Sequence, residues 1–462
     1  MAYLGTLIAV VMIAIVAYAL THKFNPQIVL LVAGLTMLAI GMALGVYAID
    51  VESDLQGKGT GFVAFDLFRL IKQVMSTNMG RVGLMIMTIG GYVAYMKSIH
   101  ASDALVYVSM RPLMLFRRVP DLAAILVLPI GQMLFVCTPS AAGLGLLLVA
   151  SIFPILVNLG VSRLTAVSVI SACTIFDMGP GSANTARAAE LAGITNMEYF
   201  VEHQLPLTVP ITLLLMVLYY VCNRYFDRKD RERGAASEPV VEATDMKVDA
   251  PLVYAVLPVL PLALLIVFSN YFEPFGRPIV LDTTTAMFIS LIVAVTFELV
   301  RERSVKSTFA RVKAFWTGMG TVFGNVVTLI IAAEIFSKGL IALGFIDTLV
   351  TACTHLGFSG VIVSIVIIVV IFLAAILMGS GNASFFSFGP LVPDIANKVG
   401  MQPVEMLLPM QLSSSMGRAI SPIAGVIVAI AEVAGVRPND LVKRNAIPLT
   451  VGLVAMILSH YL

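Results

Sequence analysis

Long apolar runs separated by short polar breaks run the whole length of this chain. A membrane-crossing helix needs about 20 mostly apolar residues. On that rule the first half offers spans at 2 to 20, 26 to 45, 80 to 97, 121 to 157, 162 to 192 and 205 to 224. The second half offers 251 to 269, 279 to 300, 321 to 341, 359 to 397, 402 to 432 and 446 to 461. Between 46 and 79 the pattern predicts a polar loop, then an amphipathic piece around Phe65, Leu67, Leu70 and Ile71 lying at the interface. The apolar N-terminus lacks an early basic region and a small-residue cleavage pattern, so it reads as a retained span.

Four of these stretches are interrupted. In 121 to 157 two apolar runs hinge at Cys137 to Gly143, and in 359 to 397 two more hinge at Met378 to Phe386. Each run is short for a crossing, which predicts two re-entrant hairpins with tips near mid-membrane. The other two are broken spans. One, in 162 to 192, is broken around Asp177-Met178-Gly179-Pro180-Gly181-Ser182, and the other, in 402 to 432, between Gln411 and Pro422. An unpaired backbone amide in hydrocarbon costs several kcal/mol, so such breaks are tolerated where they are buried in protein or line a watery cavity. They mark a binding site.

The halves repeat. Asp103-Ala104-Leu105-Val106 aligns with Asp347-Thr348-Leu349-Val350 at an offset of 244, which also carries Ser140 onto Ser384, and Pro206-Leu207-Thr208-Val209 recurs as Pro448-Leu449-Thr450-Val451. The division is a first repeat at 1–223, a charged linker at 224–250 and a second repeat at 251–462. Each repeat has about five spans plus a hairpin and a broken helix. An odd number of crossings per half makes the second repeat enter from the opposite face, the inverted arrangement of secondary transporters. The fold class is therefore an all-α polytopic membrane protein of two inverted repeats.

Charge orients it. With the linker in the cytoplasm, the loops on that side hold 20 of the 29 Lys and Arg residues, as the positive-inside rule requires. Both termini are then expected outside. Composition agrees with a membrane protein: 59% of residues are hydrophobic and 12% charged, against about a quarter charged in soluble domains. A net charge of +2 with basic residues confined to loops argues against a nucleic-acid partner. Four scattered cysteines and five histidines without ligand spacing argue against a metal site. There is no catalytic triad or nucleotide loop, so neither an enzyme nor a cofactor is expected.

The breaks supply candidate ligands. Where a short helix begins inside the membrane its first amides are free, and the helix dipole favours an anion there. Thr138 and Ser140 in the first tip, Ser380, Gly381, Asn382 and Ser384 in the second, and Ser414 in the second broken span are the substrate candidates. Arg418 joins them, because an arginine inside an apolar span is costly and its planar fork suits a carboxylate. Asp177, Gly179, Ser182, Asn382 and Ser415 are candidates for a coupling ion. The bland alternatives are helix caps and close packing for the small residues, an Arg187 partnership for Asp177, and a snorkelling or helix-capping Arg418. Glu334 with Lys338, and Glu298 with Arg301, read as local ion pairs.

Several motifs are family-specific. Ile376-Leu377-Met378-Gly379-Ser380-Gly381-Asn382-Ala383, Gly417-Arg418-Ala419-Ile420-Ser421-Pro422-Ile423-Ala424-Gly425-Val426, Asn325-Val326-Val327-Thr328-Leu329 and Val442-Lys443-Arg444 before Ile447-Pro448 resemble the DcuC family of anaerobic four-carbon dicarboxylate carriers. The likeness covers the whole chain. It implies a bacterial inner-membrane carrier of succinate, fumarate or malate, working by exchange or with a coupling cation. It also implies a paired-hairpin anion-transporter fold, with a mobile unit moving past a dimeric scaffold formed by 2 to 45 and 251 to 300. Proton and sodium remain equally open as the coupling ion. The rival readings are a carrier of the same fold for another carboxylate or an amino acid, and, from another class, a channel or a membrane enzyme.

Overall fold

A computed structural model describes residues 2–111, 119–232, 250–271, 277, 279–355 and 359–462. Every regular element among them is helical, and nine of the helices are long and apolar enough to cross a membrane. The first, Ala2–Thr21, is apolar on all sides and leaves Leu4, Leu7, Val11 and Ile15 exposed, the pattern of a lipid-facing helix. Most of the linker, 233–249, falls outside the described residues. Its first part continues the span Asn196–Glu232 as helix.

Two long bent helices form arms on which the rest is hung. The first arm is Val63–Ser98 and the second Val305–Ala342. The amphipathic piece expected at the interface is thus the front of the first arm, and the segment between the expected spans 279 to 300 and 321 to 341 is helical from Val305 onward. Leu70 and Val74 explain the difference, since they are buried beneath Leu38, Val327 and Ile331 and so hold the piece against the bundle. A π-helical turn interrupts each arm, at Met79–Gly83 and Phe323–Val327, 244 residues apart.

Small residues let these helices approach closely, which is how apolar helices pack without a hydrophobic drive between them. A Cβ on Gly34 in the helix Pro26–Ala43 would lie 2.6 Å from the Ile335 carbonyl carbon in the second arm. The arms cross at Gly90, Gly91 and Gly318, where a Cβ on Gly318 would lie 2.8 Å from the Gly90 carbonyl oxygen.

The chain turns at both expected tips and breaks at 173–182 as expected, but the second break lies further along than its sequence cluster: Gln411 to Arg418 are helical and the helix stops only after Ala419, because these serines and Gly417 pack inside the bundle. The first hairpin runs Pro120–Cys137, turns at Thr138 to Ser140 and returns as Ala141–Ser151. The second runs Gly360–Met378, turns at Gly379 and Ser380, and returns as Gly381–Phe388 and Val392–Val399. The outer limbs, of 18 and 19 residues, are longer than the sequence reading allowed. The first broken span is Arg163–Ala172 and Ala183–Ala192, and the second Pro403–Ala419 and Gly425–Val433. Each element from the first arm onward thus has a counterpart of the same kind in the second half.

The two expected local ion pairs divide. Glu298 does meet Arg301, at 3.6 Å, and also Arg311 at 3.3 Å. Glu334 does not meet Lys338. Glu334 takes Arg187 at 3.2 Å while Lys338 takes Asp54 at 2.8 Å, because the Asp54 turn and the Arg187 helix each bring a better-placed opposite charge to the arm.

Candidate functional site

The first break positions Asp177. Helix Arg163–Ala172 stops, ten residues run irregularly, and Ser182 caps the next helix by accepting from Asn184 N at 3.1 Å and Thr185 N at 3.3 Å. The chain turns at Gly179, whose φ of +101° suits glycine and where a Cβ would lie 2.7 Å from Val136 Cγ1. The same Ser182 hydroxyl donates to Asp177 Oδ1 at 2.6 Å, and Asn184 Nδ2 donates to Asp177 Oδ2 at 2.9 Å. Asp177 is therefore held by its own break, and the alternative partnership with Arg187 does not form. Arg187 pairs with Glu190 at 2.6 Å and with Glu334 instead.

From there the network crosses between halves. Asn184 Nδ2 also donates to Asn382 Oδ1 in the second tip, at 3.2 Å. Gln411 Nε2 donates to the Asp177 carbonyl. Gln204 closes a ring, accepting from Gly179 N at 3.0 Å and donating to Gln411 Oε1 at 3.0 Å. Sequence reasoning missed both glutamines as ligands. The available signal was an uncharged amide inside an apolar span, beside Pro206 for Gln204 and at the head of the second cluster for Gln411.

Arg418 arrives from the second broken span and neither snorkels nor caps its own helix. Its Nη2 donates to the Thr174 carbonyl in the first break at 2.5 Å, three residues from Asp177, with which it forms no ion pair among the described residues. On the two broken spans four buried polar atoms have no protein partner among the described residues: Arg418 Nε, Asn184 Oδ1, Ser415 Oγ and Ser421 Oγ. Buried polar atoms are almost always hydrogen-bonded. Spare donors and acceptors gathered around an otherwise satisfied ring point to a ligand.

The remaining candidates fall into two groups. Ser384 donates to the Gly381 carbonyl at 2.9 Å and Ser414 to the Gln411 carbonyl at 2.7 Å, so their hydroxyls serve their own helices. Gly381 packs so tightly on the second broken span that a Cβ would lie 2.9 Å from the Ser414 carbonyl oxygen. Ser140 and Ser380 are the N-caps of the two inner hairpin helices, and Thr138 bonds back to Leu134 O at 2.8 Å. These tips open onto cavities. Thr138 and Ser140 face one of about 890 Å³ against the arms, also lined by Lys97, Arg311 and Lys313. Ser380 faces one of about 360 Å³, lined by Lys23, Gln27 and Asn325.

A comparison with protein families decides the relationship. The model of the family described as "C4-dicarboxylate anaerobic carrier", DcuC, matches residues 4–461. This chain belongs to the DcuC family. Among DcuC relatives, the anaerobic C4-dicarboxylate transporter DcuC of Escherichia coli strain K12 is 30% identical over 99% of this chain and 96% of its own. The probable anaerobic C4-dicarboxylate transporter DcuC of Vibrio cholerae is 31% identical over 99% and 97%. The DcuC fold is shared more widely. The YdaH transporter of Alcanivorax borkumensis superposes with a TM-score of 0.59 at 15% identity, covering 94% of this chain and 98% of its own. Neisseria gonorrhoeae MtrF, described among antimetabolite efflux pumps, superposes with a TM-score of 0.64 at 14% identity, covering 96% of both chains. As a DcuC protein the chain is a multi-pass membrane transporter and not an enzyme.

Proposed function

We propose that this protein is a secondary active transporter of four-carbon dicarboxylates such as succinate, fumarate and malate across the bacterial inner membrane. The DcuC relatives supply the substrate class. The observation that carries the reading to this chain is the ring shared between halves, with Arg418 beside it holding an unpartnered buried donor. A guanidinium fork and the amide of Asn382 suit one carboxylate. Asp177, Ser182 and Ser415, with the turn at Gly179, form the seat of the coupling cation, proton or sodium. Transport proceeds by alternating access between two inverted repeats, with the hairpins and broken spans moving past the arms and the outer helices in an elevator-like manner. The protein assembles as a homodimer, and both termini lie in the periplasm.

Counterflow of labelled succinate into proteoliposomes loaded with unlabelled succinate, with and without sodium and across pH, tests the reading. Saturable counterflow stimulated by one of the two cations is expected. No accumulation in any condition rejects the substrate assignment, and unsaturable flux without counterflow marks a channel. A reporter fused to the C-terminus tests topology, where a cytoplasmic signal reverses the orientation.

A further inference from the structure

The two hairpin tips occupy different positions along the arms. The second tip lies beside Asn325 and Leu329, at and just after the π turn of the second arm. The repeat-related positions in the first arm are Arg81 and Met85. The first tip is not there. It faces Ile89, Gly90, Val93 and Lys97 across the cavity of about 890 Å³, roughly two to three helical turns further along. An inverted-repeat protein in its opposite state exchanges these relationships between halves, which carries the first tip towards Arg81.

Each π turn presents a polar side chain in the middle of an arm. Asn325 is exposed, and its side chain has no protein partner among the described residues. It looks across the cavity of about 360 Å³ to Ser380, whose helix begins with free amides. Lys23 stands on the same cavity without an ion pair, held at a φ of +62° by the turn after Ala2–Thr21, a left-handed position that favours glycine. Gln27 bridges to this wall, donating to the Gly324 and Asn325 carbonyls at 3.4 Å each. Arg81 is the matching residue of the other arm. It is exposed and has no ion pair among the described residues, and its backbone leaves the helical region at φ −100° and ψ −107°. Arg81 stands at the start of the apolar run 80 to 97, just after the polar Ser76-Thr77-Asn78, and π turns gather at functional sites.

We propose that the π turns carry alternating carboxylate contacts: Asn325, with Lys23 and Gln27, seats a substrate carboxylate at the second tip in the present state, and Arg81 does so at the first tip in the opposite state. The contacts belong to the arms and the Lys23 turn, so each acts on one face of the membrane only. This rests on the dicarboxylate reading above.

The test is sided. Succinate uptake is measured in whole cells, which present the outer face, and in inside-out vesicles, which present the cytoplasmic face, for the wild type, Arg81→Gln, Asn325→Leu and Lys23→Gln. With Arg81→Gln, KM at the outer face should rise about tenfold, the scale of one lost charge-assisted hydrogen bond, with KM at the inner face unchanged. Asn325→Leu and Lys23→Gln should do the reverse. Lys23 is an exposed turn residue, so Lys23→Gln answers for that face even where Asn325→Leu does not assemble. Equal changes on both faces, or none, overturn the proposal while wild-type uptake still supports the functional reading. Absence of wild-type uptake overturns both.

Discussion

Asn184 donates to Asn382 at 3.2 Å across 198 positions of chain, and the same amide nitrogen holds Asp177 Oδ2 at 2.9 Å. One side chain therefore ties the second hairpin tip to the acidic centre of the first break. Asn184→Ala removes both bonds and leaves buried groups unsatisfied, which costs about 1–3 kcal/mol. Asn382→Ala removes one bond at a partly exposed tip. Thermal unfolding in detergent should fall clearly for Asn184→Ala and little for Asn382→Ala, while succinate affinity falls for both. Equal unfolding temperatures would mean that the Asn184 bond to Asp177 contributes nothing to stability.

Asp177→Asn keeps a side chain of the same shape but removes the charge that Ser182 and Asn184 hold. Cation stimulation of transport should be lost, while succinate exchange, which needs no net cation movement, should persist. Intact stimulation by the wild type's cation would place the coupling seat elsewhere.

Arg187 is buried between two acids, Glu190 at 2.6 Å and Glu334 at 3.2 Å, and also reaches Asn78 Oδ1 at 3.3 Å. This clasp joins the second part of the first broken span to both arms. Breaking a buried pair by removing one partner costs about 3–5 kcal/mol. Arg187→Ala should lower stability more than Glu334→Gln, because the latter leaves Arg187 paired with Glu190. Denaturation of the two purified variants provides the comparison. If Glu334→Gln proved the more damaging, Glu190 would not be the stronger partner.

Gly34 faces the second arm at a distance that admits no side chain. Gly34→Leu should destabilise by about 1–3 kcal/mol through overpacking. Gly320, where a Cβ meets nothing within 4 Å, should accept alanine without loss. Comparative melting curves distinguish the two positions.

Much of this fold was legible in the apolar pattern because hydrocarbon imposes so strict a rule on backbone polar groups. Such breaks have to be buried in protein or line a cavity: Asp177 to Ser182 are buried, and Gly379 and Ser380 are half-buried with Ser380 on a cavity. The arms were harder to read. Phe65 to Ile71 and the charged stretch 301 to 313 carry the composition of an interface. Only packing against Leu38 and Val327 in the one case, and pairing of Arg311 with Glu298 and Glu302 in the other, makes them helical extensions of spans. Residue type singled out Asp177, Asn382 and Arg418, which the structure brings to the seam between the halves. It could not distinguish Ser384 and Ser414, which bond their own helices, from Ser415, whose hydroxyl is buried without a partner. Gln204 showed only as an uncharged amide beside Pro206, and its role depends on Gln411 in the other half, which only tertiary contact brings to it.

The proposed dicarboxylate seat lies between the halves, against Arg418. Calorimetric titration of succinate into the purified wild type and into Arg418→Leu tests it most directly. The wild type should bind saturably and Arg418→Leu at least about thirtyfold more weakly, the equivalent of about 2 kcal/mol for a buried charged contact. Equal affinity in the two proteins, or no binding by the wild type, would contradict it.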